Sequence, residues 1–281
     1  MTDPYVLVGV DDRPDAVAAA RFGLREAADR GLALVLAYGY APLPVRPAAP
    51  GGPELDRRRR ATKAVLDAAA GLVAPAAMSI ETVVEDAPPL GLLTRLGRNA
   101  DLIVLGRHHL GMRERVQDPS LGSRLVDRVR CPVVVVPADA GRESAARSPV
   151  VVALDGETAA VEALELAFDE AERRRRMILA LHAGPLTALP ARRAAEERDV
   201  VEILAGWKAD HPDVVVRTLI CPAEPTELIV QASRDAALMV IGRPHAAAGG
   251  GWSRSVAAAV LTLARCPLAI APAADRLATA V

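Results

Sequence analysis

The chain has 281 residues, 51% hydrophobic and 25% charged, with a net charge of −1; this fits a folded protein of about two domains and excludes a disordered one. Aromatic residues make up 2%, too few for the stacking platforms that hold single-stranded nucleic acid, and the near-neutral charge gives no attraction to a polyanion, so no nucleic-acid partner is expected. Three scattered cysteines (Cys131, Cys221, Cys266) form neither a disulfide framework nor a zinc site, no apolar run reaches the length of a membrane span, and no secretory leader is visible, so a reducing cytoplasm, no membrane partner and no structural metal are expected.

The first predicted strand, about 5–10, is apolar apart from Gly9 and so buried on both faces, as in a parallel sheet. A helix from about Pro14 to Arg30 follows, with Gly31 as its stop. Then come a strand at 32–38, a Pro- and Gly-rich loop at 41–53, a helix at 54–73 and a third strand around Thr82–Val84. A helix at 89–99, a buried strand at 102–105, a helix at 119–129 with Leu121, Leu125 and Val129 on one face, and a strand at 133–136 complete the set. Strands alternating with helices predict βαβ units, right-handed crossovers and a doubly wound parallel sheet, an α/β fold.

The series then starts again. Val6-Leu-Val-Gly-Val-Asp11 is echoed by Val150-Val-Val-Ala-Leu-Asp155, and Leu102-Ile-Val-Leu-Gly106-Arg by Leu238-Met-Val-Ile-Gly242-Arg. The closing Arg130-Cys-Pro-Val-Val-Val-Val-Pro137 is echoed by Arg265-Cys-Pro-Leu-Ala-Ile-Ala-Pro272. A repeat holding several strands and helices is a duplicated domain. The predicted domains are 1–140 and 148–273, joined by the small polar residues of 138–149. Domain two is read as strands at 150–154, 177–182, 214–220, 238–241 and 268–271, alternating with helices at 158–174, 191–209, 225–234 and 254–264. Val161, Leu164, Phe168 and Ala171 form the expected buried stripe of its first helix.

Five parallel strands, an Asp closing the first, a Gly after the fourth and an Arg-Cys-Pro entry to the fifth resemble the universal stress protein family, twice over. The segments that carry this are Val8-Gly-Val-Asp-Asp12 with Val152-Ala-Leu-Asp-Gly156, the two runs ending at Gly106 and Gly242, and both Cys-Pro closings. The resemblance implies a five-stranded Rossmann-like domain, of the adenine nucleotide alpha hydrolase-like kind, in tandem. It also implies a cytoplasmic, non-catalytic stress-response protein whose domains pair through their last strands, inside one chain and as a homodimer. Some members bind ATP through a pattern of Gly, two residues, Gly, nine residues, Gly, then Ser or Thr. Glycines let the backbone approach phosphates, and a helix N-terminus offers them free N–H groups.

In domain one the spacing of that pattern survives from Gly106 to Ser120, with His109 and Pro119 in place of two glycines. Asp118-Pro119 is a helix start that puts a carboxylate and a missing donor where phosphate would sit, and Asp12 adds a second negative charge. In domain two Asp155 and Gly156 match the opening and Gly242 the first phosphate glycine, while His245 and Arg254 replace two others and Ser255 keeps the hydroxyl. The spacing is one residue short, but Gly249-Gly-Gly251 keeps the loop pliable and Arg254 suits bidentate contact with a phosphate. Tyr38 is expected to fill the adenine region of domain one, where small Ala183 leaves room in domain two. The candidate ligand residues are therefore Asp155, Gly156, Ala183, Gly242, His245, Arg254, Ser255 and the adjoining Val256, with Asp11, Gly106 and Ser120 as the weaker set. ATP is the implied ligand, with Mg only as its companion.

Other features invite blander readings. Asp11 and Asp155 serve equally well as ligand contacts or as caps of the turn into the next helix. His108-His109 lack a third ligand at metal spacing, and Cys131 and Cys266 hold the same repeat position before a buried strand, which favours packing. The runs Arg57–Arg60 and Arg173–Arg176 read first as solvated helix ends. No Ser-His-Asp group, acid pair or Walker-type loop is visible, which argues against an enzyme. A partner-binding scaffold with both sites lost and a weak ATP hydrolase remain the alternatives.

Overall fold

The computed structural model describes residues 3–40, 53–70, 72–75, 78–107, 121–139, 148–154, 161–184, 190–243 and 254–272, without the side chains of 53–55, 57, 190, 192, 193, 254 and 255. The chain divides into two compact units, Met1–Gly141 and Arg142–Val281. In the first, β1 (Tyr5–Gly9), α1 (Asp15–Arg30), β2 (Ala33–Gly39), α2 (Pro53–Ala69), β3 (Ile80–Glu85), α3 (Pro89–Leu96), β4 (Ala100–Gly106), α4 (Leu121–Val126) and β5 (Val133–Val136) follow in turn. In the second, β6 (Val150–Leu154), α5 (Val161–Arg174), β7 (Ile178–Gly184), α6 (Pro190–Asp210), β8 (Val216–Pro222), α7 (Pro225–Ala232), β9 (Leu238–Ile241), α8 (Arg254–Leu263) and β10 (Leu268–Ile270) repeat the order.

Within the first unit the strands run β3-β2-β1-β4-β5, and within the second β8-β7-β6-β9-β10, every pair parallel. The central strands are unbroken apolar runs because both faces are covered: Val6, Leu7 and Val8 are fully buried, as are Val150, Val151 and Val152. The outer strands are more polar, with Glu81 and Thr82 of β3 and Arg217 and Thr218 of β8 exposed. Charge on an outer strand discourages pairing with another chain.

Local chemistry explains the helix ends. Gly31 closes α1 in the left-handed region at φ 66°, and the next amide, Leu32 N, returns to the Ala27 carbonyl at 2.9 Å. The second unit repeats that turn, with Arg176 N on the Ala171 carbonyl at 2.8 Å, but uses Arg175 at φ 51° where the repeat has Gly31. A left-handed L residue is strained by roughly 1–2 kcal/mol, partly offset by the greater unfolded-state entropy of glycine. Arg175→Gly is therefore expected to stabilise the protein by about 0.5–1 kcal/mol, read as a higher urea midpoint with unchanged slope.

The Cys-Pro cassettes are structural. In each, the proline carbonyl receives a strand amide, Ile103 N on Pro132 O at 3.0 Å and Met239 N on Pro267 O at 2.9 Å. Cys131 lies under the end of α3, with Sγ 3.7 Å from the Gly97 carbonyl. In the second unit Ser233, at the end of α7, accepts from Arg265 N at 2.9 Å and donates to Val230 O at 2.7 Å. Cys131 and Cys266 are both buried, so the packing reading of the repeated cysteine holds.

Some expectations shift. Val161 is 49% exposed while Leu164, Phe168 and Ala171 are fully buried, so the apolar stripe of α5 begins one turn later than its spacing implied. Strand β8 starts at Val216 rather than 214, because Val214 N closes a turn onto His211 O at 3.1 Å. Leu125 and Val129 are buried as expected, and Leu121 only partly so. Of the second arginine run, Arg173 pairs with Asp169 at 3.2 Å and Arg174 with Glu170 at 2.9 Å, so those two are held by their own helix rather than fully solvated.

Candidate functional site

In each unit the strand order reverses direction between two neighbouring central strands, β1 and β4 in the first and β6 and β9 in the second. The helices that follow such a pair leave on opposite faces, which opens a crevice at the carboxyl ends of the strands. Among the described candidate residues, Asp11, Gly106, Ala183 and Gly242 lie at or just beyond the ends of β1, β4, β7 and β9.

In the first unit Asp11 follows β1 and turns its carboxylate inward to the chain. Oδ1 accepts from Arg13 N at 3.1 Å and Oδ2 meets Arg13 Nη1 at 3.4 Å. This is the turn-capping role. Gly106 ends β4 directly under the first turn of α1: a Cβ there would lie 2.8 Å from Asp15 Cβ and 2.9 Å from the Asp15 carbonyl carbon. Close helix packing alone thus explains a glycine at 106. Arg107 N continues the ladder to Val136 O at 2.8 Å, and its side chain is buried.

Tyr38, at the end of β2, shares this mouth with both aspartates. Burial pushes its phenol above the ordinary value, and Asp12 and then Asp11 push in the same direction against Arg60 and Arg13. The mouth of the first unit therefore brings an aromatic ring within electrostatic reach of two carboxylates and two guanidiniums. Ser120, with His108, His109 and Asp118-Pro119, lies outside the described residues.

In the second unit Ala183 stands on β7 where the repeat has Tyr38, paired with Cys221 of β8. Gly242 follows β9, whose Ile241 carbonyl accepts from Ala271 N at 3.0 Å. Helix α8 begins at Arg254, so Arg254, Ser255 and Val256 form its first turn. Asp155, Gly156 and His245 lie outside the described residues, as do the side chains of Arg254 and Ser255. Among the described residues there is no cluster of three or more His, Cys, Asp or Glu able to hold a metal, and no helix long and apolar enough to cross a membrane.

A family model, the universal stress protein family, matches residues 5–137 and again 147–272. The chain belongs to the universal stress protein family. As a tandem member it is 31% identical over 284 residues to universal stress protein Rv2005c of Mycobacterium tuberculosis, covering 95% of this chain and 96% of that one. Universal stress protein Rv2623 of the same organism is 30% identical over 286 residues, with 95% of each chain covered. A solved universal stress protein from Archaeoglobus fulgidus superposes with a TM-score of 0.72 over 98% of both chains at 15% identity, a likeness of fold.

Two features of this universal stress protein escaped the sequence reading. One is a buried acid repeated in both units: Glu26 with Arg30 at 3.2 Å, and Glu170 with Arg174. Arg30 also reaches Asp101 at 3.1 Å, which ties the end of α1 to the start of β4. The signal was present as an acid and an arginine four residues apart at the same repeat position. The other is His182, an internal polar residue of β7, treated below.

Proposed function

We propose that this tandem universal stress protein is a non-catalytic, nucleotide-responsive module whose second unit is the adenine-nucleotide site. The reading is carried by one contrast, at the strand end beside each crevice. The first unit has Tyr38 within electrostatic reach of Asp11 and Asp12, whereas the second has Ala183 in the equivalent place. A small side chain leaves room for a base, and α8 opens its helix with Arg254-Ser255 instead of an acid and a proline. A helix N-terminus, a cationic side chain and a hydroxyl suit a phosphate. On this reading Asp155, Gly156 and Ala183 border the base and ribose, while Gly242, His245, Arg254, Ser255 and Val256 border the phosphates, with Mg carried in on ATP. Asp11 and Gly106 of the first unit serve its structure.

Thermal unfolding of the whole chain with and without Mg-ATP tests this. Ligand at about 100 times its dissociation constant adds roughly 2.7 kcal/mol to the unit that binds it. The midpoint should rise, and Arg254→Ala and Ser255→Ala should remove most of the rise. No response at millimolar ATP would favour a partner-binding scaffold with both sites lost. Release of ADP or AMP by clean protein, abolished by Arg254→Ala, would instead make it a hydrolase.

Within its own sheet each last strand, β5 or β10, is an edge, and an apolar edge needs cover. Our reading is that these two strands cover each other as an internal pseudo-dimer and that two chains associate further in the cytoplasm. Light scattering that finds only the monomer mass removes the second association.

A further inference from the structure

His182 lies near the carboxyl end of β7, 3% exposed, with Leu154 of β6 and Ile220 of β8 beside it in register. Its Nδ1 is 3.1 Å from the Leu154 carbonyl. A carbonyl oxygen can only accept, so Nδ1 carries the hydrogen, and in the neutral ring Nε2 is left as a bare acceptor. That Nε2 is buried and has no hydrogen-bond partner. What faces it is another acceptor, Glu196 Oε2 on α6, at 3.9 Å.

Gly184, two residues on and on the same side of the strand, gives the carboxylate its place: a Cβ there would stand 3.2 Å from Glu196 Oε2. Among the described residues, Glu196 is the charged group that α6 turns to the ring, and β6 and β8 present the apolar Leu154 and Ile220. The buried Nε2 thus has no donor opposite it, and a proton taken up there would turn it into a donor toward the carboxylate.

We propose that His182 is a proton-operated clasp. A proton taken up at Nε2 makes the ring a donor on both sides, to Leu154 O and to the Glu196 carboxylate, and so joins the ends of β6 and β7 to α6. The device belongs to the second unit alone. At the equivalent place the first unit has Ala37, whose carbonyl simply accepts from Val10 N at 2.8 Å and whose side chain has nothing to protonate. Leu154 immediately precedes Asp155 and Ala183 follows His182, so any effect on ligand affinity rests on the nucleotide reading above. The clasp itself does not, and its test needs no ligand.

The full-length chain, labelled with 15N, is followed from about pH 8 to about pH 5, the range in which histidine changes charge, by correlations to the imidazole nitrogens. His182→Asn identifies the signals by their loss. The expected result is a proton on Nδ1 alone at the upper end and on both nitrogens at the lower end, with the transition moved to lower pH by Glu196→Gln. The pH dependence of the thermal midpoint should also differ between wild type and His182→Ala; alanine is the residue the repeat itself carries there. A ring that keeps Nε2 bare throughout overturns the proposal, as does a transition that Glu196→Gln leaves in place. Should His182→Ala fail to fold, the Glu196→Gln comparison decides alone.

Discussion

Replacing Phe168 by alanine is expected to destabilise the protein by about 3–5 kcal/mol, the range for removing a fully buried aromatic side chain. Phe168 has no solvent exposure and is one of the largest buried side chains of the molecule. Its ring stacks on Trp207 with centroids 5.5 Å apart and lies 4.9 Å from the His211 ring, so it joins α5 to the far end of α6. Trp207 and His211 stack in turn at 5.9 Å, and His211 Nδ1 lies 2.7 Å from Glu172 Oε1 on α5. Urea unfolding gives the loss as a lowered midpoint. Trp207 emission should shift to longer wavelength in the folded variant. A loss under about 1 kcal/mol would mean that α5 and α6 collapse onto the gap, against the cavity argument.

Alkaline pH should remove a comparable amount of stability through a single thiol. Burial pushes the Cys131 thiol from its usual value of 9.0 up to about 12, far outweighing the nearby backbone hydrogen bond, which pulls the other way. Below the unfolded value the thiol is neutral in both states and its contribution is fully present. As pH rises past 9.0 the unfolded chain ionises while the folded one keeps its proton, so stability falls until the folded thiol ionises at about 12. Three pH units at 1.36 kcal/mol each make the whole loss about 4 kcal/mol. Tyr5, whose phenol donates to Leu96 O at 2.7 Å and is likewise raised by burial, acts with the same sign at higher pH. The informative quantity is therefore the difference between wild type and Cys131→Ala: the variant should show a shallower fall of the urea midpoint above pH 9. Native-state thiol titration supplies the companion result, with Cys221 reacting first and Cys131 and Cys266 only on unfolding. Parallel alkaline arms in the two proteins, or rapid modification of Cys131, would contradict a buried neutral thiol.

Along the sequence the repeat matched Asp11 to Asp155 and Gly106 to Gly242, and strand-end residues of a doubly wound sheet gather at its carboxyl edge whatever the remaining sequence. The role of each residue was less legible. Asp11 could equally have faced a ligand or its own turn, and only the Arg13 N hydrogen bond shows the turn in use. Gly106 matched a phosphate glycine, yet the Asp15 backbone pressed against it accounts for the missing side chain.

By itself the sequence determined the class of fold, the duplication and the order of elements. These follow from local rules: two-faced burial writes continuous apolar strands, a 3.6-residue period writes the helices, and Gly31 writes a stop. Tertiary structure alone decided which polar groups meet. Arg30 lies beside Asp101 across 71 residues, His182 beside Leu154 and Glu196, and Phe168 beside Trp207 and His211. Such encounters depend on ångström-scale packing between distant segments, and no period along the chain records them, because one slip of a helix over its sheet would change every partner.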